Sequence, residues 1–427
     1  MEKLEPIDFQ KEIKDDRNDE SLIPTKYPNL YIIFLGIITL LAVASTAILH
    51  SNEQEFILDR FVDISSYELS LFDTMVYVAY FIAGLVIGVL SDKFAKRKLF
   101  ILIGSIGASI FFIFMTLTLN YVLLLFFRFI QGCFSIMVWQ MLITIILDVS
   151  TPKNRGKNMG IYGAFLAIGM GLGPMLGGFI AEAGVFVPYY VASGLMVIVL
   201  LLTLFLKDPA TVKERSSLKE SLLFIRDKPK IIIPSLFNFL DRFHMGIIIF
   251  ALPLIIGQDV NDGGLGLDAR FRGIAFGIFA LPFILLQYPF GRLSDKIGRY
   301  TPLIIGSCCY GIVLSLLGYF GKSTYSILLI FLVLLGILSG VTSPPTLALI
   351  GDTIDNSKKH GVGMSVFTLF GNVGIAIGPL IAGLLLNHGY GLTFLVVGIL
   401  ELIFLTINIL LIRFAFKEKI RPTHLST

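Results

Sequence analysis

"GVLSDKFAKRK" runs from Gly88 to Lys98, and "GRLSDKIGRY" runs from Gly291 to Tyr300. Both carry G-x-L-S-D-K, both follow an apolar run, and their glycines stand 203 residues apart. A second pair repeats at nearly the same distance: "GMGLGPMLGG" (Gly169–Gly178) and "GIAIGPLIAG" (Gly374–Gly383). Gly169, Gly173, Pro174 and Gly178 match Gly374, Gly378, Pro379 and Gly383 at an offset of 205. Two unrelated features recurring at almost one period imply a duplicated unit.

The composition says where that unit resides. Of 427 residues, 55% are hydrophobic and only 15% charged, with a mean hydropathy of +0.84. Soluble domains average about 45–50% apolar and about 25% charged residues, so this chain belongs in a bilayer. A net charge of +4 with no basic stripe excludes a nucleic-acid binder. Cys133, Cys308 and Cys309 all lie in apolar segments and fit neither a disulfide framework nor a metal spacing. "GKST" at Gly321–Thr324 imitates the end of a phosphate loop, but Leu316 occupies the place of its required glycine. No cofactor and no metal are expected, and the chain is not expected to be an enzyme.

A spanning helix needs about 20 apolar residues. Stretches that qualify are Leu30–Leu49, Leu71–Leu90, Leu99–Leu119, Tyr121–Val149, Met159–Ala181 and Phe186–Leu206 in one half. Ile231–Ile256, Gly273–Phe290, Thr301–Phe320, Thr324–Ile350, Val362–Leu386 and Leu392–Ile412 qualify in the other. The expected architecture is an all-α integral membrane protein with twelve transmembrane helices in two pseudo-symmetric six-helix bundles, residues 28–206 and 231–412. Residues 1–27 read as a mixed-charge, acid-rich tail and 413–427 as a second tail. Residues 207–230 read as a linker, either flexible or holding a short surface helix with Leu218, Leu222 and Ile225 on one face.

Cations accumulate in cytoplasmic loops. Lys93, Lys96, Arg97, Lys98, Lys153, Arg155, Lys157, Arg292, Lys296, Arg299 and the 207–230 cluster share one side; the other holds little beyond Arg60, Arg270, Arg272 and Lys322. Both termini are therefore expected in the cytoplasm, with the protein in the cell membrane.

Internal repeats with a substrate site at their interface characterise secondary transporters. The motif residues resemble the major facilitator superfamily, in particular its twelve-helix drug:proton antiporter branch. Its loop motif corresponds to Gly88, Leu90, Asp92, Lys93, Lys96 and Arg97, repeated as Gly291, Asp295, Gly298 and Arg299; Ala95 departs from the usual second glycine. Arg128, Gln131 and Gly132 match its helix 4 motif, and Gly169, Gly173, Pro174, Gly177 and Gly178 its helix 5 antiporter motif. The resemblance implies a gate at Gly88, Asp92, Arg97, Gly291, Asp295 and Arg299, with Asp92 expected to be the stronger latch. It implies close helix packing at the helix 5 motif and at Gly378 and Pro379. It also links Arg128 to proton coupling and places helices 1, 4, 7 and 10 around a central cavity.

An ionised side chain at mid-bilayer costs about 2.5–3.5 kcal/mol on insertion scales, so such residues are functional candidates. Span 7 reads "FNFLDRFHMG". Asp241 lies ten residues past Ile231, about 15 Å deep at 1.5 Å per residue. Asn238, Asp241 and His244 share a helix face, and Arg242 points elsewhere. Asp241, Arg242, His244, Arg128 and Glu401 are the proton-coupling candidates, with Glu401 either a partner of a polar neighbour or a second protonation site. Asp73, near the end of span 2, reads as solvated. Cavity candidates are Asn238, Gln131, Tyr77, Tyr80, Trp139, Gln287 and Asn372, each of which also fits plain helix–helix packing. The expected activity is proton-coupled antiport of a small amphipathic or drug-like molecule by a monomer among membrane lipids. An importer or facilitator of a sugar or organic anion stays open, as does a lipid exporter.

Overall fold

The computed structural model describes residues 29–61, 63–94, 96–150, 155–208, 225–226, 228–353 and 360–415. The expected tail 1–27, the tail 413–427 beyond residue 415, and most of the linker, Leu218 and Leu222 included, fall outside them. Twelve described helices are long and apolar enough to cross a membrane. The first six are α1 (Asn29–Ala47), α2 (Ser66–Phe94), α3 (Arg97–Leu117), α4 (Tyr121–Asp148), α5 (Arg155–Ala181) and α6 (Val187–Leu204). The second six are α7 (Ile232–Gly257), α8 (Ala269–Ile297), α9 (Tyr300–Phe320), α10 (Tyr325–Thr353), α11 (His360–Leu386) and α12 (Tyr390–Leu410). Helices suit this setting because each satisfies its own backbone where no water can.

Helix ends follow local chemistry. Asn120 caps α4 by accepting from the Leu123 amide at 3.0 Å. Asp268 caps α8 by accepting from the Arg270 and Phe271 amides at 3.1 and 3.4 Å. That cap starts α8 four residues before the apolar run does. Between α1 and α2 the chain makes a 3-10 turn (Ile48–Ser51) and a short helix (Glu53–Leu58), largely past the expected end of the first span at Leu49.

The duplication is visible in packing. In the first half α1 lies on α5, α2 on α4, and α3 on α4 and α6; in the second α7 lies on α11, α8 on α10, and α9 on α10 and α12. The halves meet where α5 packs on α8 and α2 on α11.

The glycine motif explains these contacts. A Cβ added at Gly173 would lie 2.7 Å from the Ala47 Cβ of α1, and one at Gly169 3.0 Å from the Leu40 oxygen. The second copy does the same, with Gly374 and Gly378 within 2.4 and 2.5 Å of the Phe239 and Phe243 oxygens of α7. The last glycine of each copy turns to the opposite half instead. A Cβ at Gly178 would stand 2.4 Å from the Ala269 oxygen of α8, and one at Gly383 2.5 Å from Ser70 Oγ of α2. Small residues thus let backbones approach both within and between the bundles.

The two ends of the interface differ. At the end away from the basic segments, Gln54 Nε2 donates to the Phe250 oxygen at 2.7 Å. Arg272 reaches Glu55 at 2.5 Å and the Ser51 oxygen at 3.4 Å, and Arg270 reaches Glu182 at 3.6 Å. Toward the basic end a Cβ at Gly160 or Gly163 would meet nothing within 4 Å, although Gly171, further along α5, already touches Ala280 of α8. The molecule is closed at the non-basic end and opens toward the basic one.

Three of the four cations that break the charge asymmetry are accounted for by these ties. Arg270 and Arg272 join the halves. Arg60 donates to the oxygens of Met115 and Thr116 at 3.0 and 3.3 Å and to that of Thr118. It thereby caps the carboxyl end of α3, where four carbonyls lack helical partners and a cation is favoured.

Candidate functional site

Two groups of polar side chains lie inside the bundles. In the second half, α7 supplies Asp241 and His244, α9 Tyr310 and Ser307, α10 Thr342 and α12 Glu401 around one small cavity. It has room for roughly a single water molecule. His244 Nε2 stands 3.7 Å from Asp241 Oδ1, and His244 Nδ1 stands 3.6 Å from Glu401 Oε2. Tyr310 stacks on the His244 ring at 3.9 Å between centroids. The Asp241 side chain is 22% exposed, whereas those of His244 and Glu401 are 5% and 2% exposed. One imidazole therefore bridges an accessible carboxylate to a sealed one, an arrangement that can hold or pass a proton.

The first half holds the other group. Arg128 Nη2 stands 3.5 Å from Glu53 Oε2, and Nη1 donates to Gln131 Oε1 at 3.2 Å. Gln131 Nε2 donates on to Ser135 Oγ at 2.7 Å. The guanidinium lies over the Phe72 ring, 4.6 Å from its centroid, a favourable cation–π placement. His50 Nδ1 stands 3.3 Å from Glu53 Oε1 and 3.7 Å from Asp73 Oδ1. Asp73 is buried, at 2% exposure, rather than solvated as its position near the helix end predicts, because the Ile48–Leu58 segment covers it. The donor atoms of His50, Glu53 and Asp73 lie within 4.8 Å of one another, close enough for a cation. Arg128 already supplies positive charge there.

The remaining cavity candidates have varied surroundings. Asn238 Nδ2 donates to the Phe367 oxygen of α11 at 2.8 Å, and Arg242 packs beside it against Gly371. Tyr80 meets Trp139 at 4.8 Å and Tyr77 at 5.9 Å between centroids, an aromatic seam between α2 and α4. Gln287 and Asn372 are half-buried on α8 and α11.

The family model described as Major Facilitator Superfamily matches residues 30–238 and 234–426. The chain belongs to the major facilitator superfamily. The quinolone resistance protein NorA of Staphylococcus aureus is 27% identical over 366 residues, covering 84% of this chain and 89% of its own. Multidrug resistance protein 2 of Bacillus subtilis (strain 168) is 26% identical over 324 residues, covering 73% and 78%. Among solved structures, the nucleoside transporter NupG has a TM-score of 0.73 at 13% identity, covering 91% of this chain and 100% of its own. A bacterial homologue of the human lysosomal transporter Spinster, inward-facing and occupied, has a TM-score of 0.70 at 16% identity, covering 92% and 98%.

In this superfamily member the duplicated phrase begins within the helices rather than in a loop: G-x-L-S-D-K lies inside the ends of α2 and α8. The chain turns at Gly298, whose φ of +90° suits glycine alone; Ala95, the matching position of the first copy, lies outside the described residues. After each G-x-L-S-D-K an arginine reaches back. Arg97 Nη1 donates to Ser91 Oγ at 2.7 Å, and Ser91 donates to the Gly88 oxygen at 3.0 Å. Arg299 Nη1 donates to Ser294 Oγ at 2.8 Å, and Ser294 donates to the Gly291 oxygen at 2.8 Å.

Each arginine also finds an aspartate at the end of a further helix. Arg97 Nε stands 3.5 Å from Asp148 of α4, and Arg299 Nε 3.0 Å from Asp352 of α10. Arg299 contacts Asp295 as well. Burial works against the Arg299 charge, and Asp352 and Asp295 more than offset it, so its guanidinium is held above its already high ordinary value. The two copies are unequal: Arg97 is 1% exposed and Arg299 22%. The Asp92 side chain lies outside the described residues.

Sequence reasoning missed Asp148 and Asp352, although their offset of 204 matches the repeat. It also missed His50 and Glu53, whose i, i+3 spacing was a usable signal for one helical face.

Proposed function

We propose that this transporter is a proton-coupled antiporter that exports a small amphipathic molecule, its two halves rocking about a central cavity. The observation that carries the reading is the set Asp241–His244–Glu401. It combines an accessible carboxylate nine residues into α7, about 14 Å along the helix, with a sealed imidazole and carboxylate behind it. An ionisable residue at that depth is functional by default. In this reading Asp241 binds a proton and substrate alternately, and His244 and Glu401 set the charge behind it. Arg242, next to Asp241 in the chain, adds a positive charge to the same turn of α7. The basic end faces the cytoplasm with both termini, so the described state opens inward.

The relatives' names, a quinolone resistance protein and a multidrug resistance protein, supply the substrate class. Proteoliposomes with an imposed pH gradient and a fluorescent quinolone test the reading. Extrusion should follow the gradient, stop when an ionophore collapses it, and be lost in Asp241→Asn. Undiminished proton-driven transport by Asp241→Asn would overturn the assignment. Movement of an organic anion in the uptake direction would instead favour an importer, with Arg242 as the anion's partner.

A further inference from the structure

With the buried His50 ring neutral, the polar group of the first half contains more negative than positive charge. Two carboxylates, Glu53 and Asp73, share one guanidinium, Arg128, and one imidazole, His50; each of the four is at most 8% exposed. Glu53 occupies both partners, with Oε2 toward Arg128 and Oε1 toward His50. Asp73 Oδ1 is buried without a hydrogen-bond partner, 3.7 Å from His50 Nδ1, and the Asp73 carboxyl lies against that of Glu53. An isolated charge removed from water neutralises rather than remain ionised. One proton on Asp73 brings the set to zero net charge, whereas a divalent ion beside Arg128 would leave it positive.

The position of this set is as telling as its charge. Glu53 opens the short helix whose next two residues close the molecule. Gln54 donates across the interface to the Phe250 oxygen, and Glu55 accepts from Arg272. Arg272 also reaches the Ser51 oxygen. A movement of Glu53 by one or two ångströms therefore cannot leave the clasp intact. Among the described residues, ionisable groups face Asp73 from several elements. His50 and Glu53 face it from the hairpin, Arg128 and Tyr121 from α4, Tyr189 from α6, and Tyr77 from its own helix. Helix α11, packed on the other side of α2, carries no ionisable residue from 363 to 386.

We propose that Asp73 is a second proton-binding group, and that its proton holds the clasp made by Gln54 and Glu55 closed. With the proton on, Glu53 pairs with Arg128 and the short helix stays seated. With the proton lost to solvent, two carboxylates compete for one guanidinium at close range, and like charges so near cannot both remain ionised without displacement. The short helix then lifts and the halves part at the non-basic end. The inference extends the proton-coupled reading and rests on it only for the source of the proton.

Spin labels at Asp59→Cys and Val260→Cys report the clasp, since both positions are exposed on opposite halves of that end. The background replaces Cys133, Cys308 and Cys309 with serine and is first shown to transport. Distances are measured in lipid nanodiscs from acid to alkaline pH, with a chelator present and no gradient. The short-distance population should dominate at low pH and give way to a longer one as pH rises. Asp73→Asn, an isostere of the neutral acid, should stay closed at every pH. Glu53→Gln leaves Asp73 as the one carboxylate facing Arg128, so no competition arises and the clasp should stay closed at every pH, which keeps the test decisive if Asp73→Asn does not fold.

An unchanged pH response in Asp73→Asn, or no response in the parent, overturns the proposal. So does a clasp that follows added zinc or manganese rather than pH, which would make the trio a metal site. Asp241→Asn in the same labelled background separates the two readings. The clasp response should persist there while proton-driven transport is lost.

Discussion

His244 Nδ1 stands 3.6 Å from Glu401 Oε2 and joins α7 to α12 inside the second half. A sealed carboxylate is costly unless a partner holds it, and here the His244 ring is that partner. We predict that Glu401→Gln folds and binds substrate but transports about tenfold more slowly under a pH gradient, the equivalent of about 1.4 kcal/mol. Glu401→Leu should be as slow in transport and also less stable than Glu401→Gln, because it removes one partner of a buried pair and leaves the His244 ring without a polar neighbour on that side. Initial rates in proteoliposomes and thermal unfolding in detergent separate these outcomes. Full transport in Glu401→Gln would reduce the residue to packing.

The unequal arginines make unequal gates. Arg97 is sealed between Ser91 and Asp148, while Arg299 sits at a half-open surface with an exposed Asp352. Breaking a buried pair costs about 3–5 kcal/mol, and an exposed pair contributes about 0–1 kcal/mol. Arg97→Ala should therefore lower both the unfolding midpoint and transport severely, and Arg299→Ala only mildly. Asp92→Asn should likewise impair transport more than Asp295→Asn. The reverse ranking in either pair would contradict this account.

The twelve spans were legible because a bilayer demands long apolar runs, and the two halves because two motifs repeat at one period. Three features were not. The basic phrases read as loops, yet tertiary packing carries α2 and α8 through them, since a charged residue at a membrane end need not stop a helix. Asp73 read as solvated because hydropathy cannot see that the Ile48–Leu58 segment folds over it. Glu401 gave no clue to its partner, because His244 lies far away in sequence and only the bundle brings them together. Conversely, the stripe of Gly169, Gly173 and Gly177 was readable as a packing face, but the turn of Gly178 toward the other half depends on where α8 lies.

Arg60 yields a prediction about stability alone. Its guanidinium collects the last carbonyls of α3 with a planar fork that lysine lacks. Arg60→Ala should lower the unfolding free energy by about 1–3 kcal/mol, the cost of leaving such groups unpaired. Arg60→Lys should recover only part of it, with transport by the folded fraction unchanged. A loss of transport without loss of stability would show that Arg60 acts on the cycle instead.

Neighbouring glycines of α5 should fail in different ways. A Cβ at Gly177 would lie 1.9 Å from the Ile48 oxygen, within the same half, whereas one at Gly178 would lie 2.4 Å from the Ala269 oxygen of the other half. Contact within a bundle persists through the whole cycle, so Gly177→Ala should destabilise every state, by about 1–3 kcal/mol as overpacking does. Contact across the interface exists only when the non-basic end is closed. Gly178→Ala should therefore leave the unfolding midpoint near that of the parent and shift the population toward opening at that end. Gly383→Ala, its repeat partner against Ser70, should do the same, and Gly163→Ala, with no neighbour within 4 Å, should do neither. Thermal unfolding and the reactivity of a single cysteine at the non-basic end distinguish the three cases. If Gly178→Ala unfolds as readily as Gly177→Ala with no gain in reactivity, the cross-half contact is structural and does not report the state of the transporter.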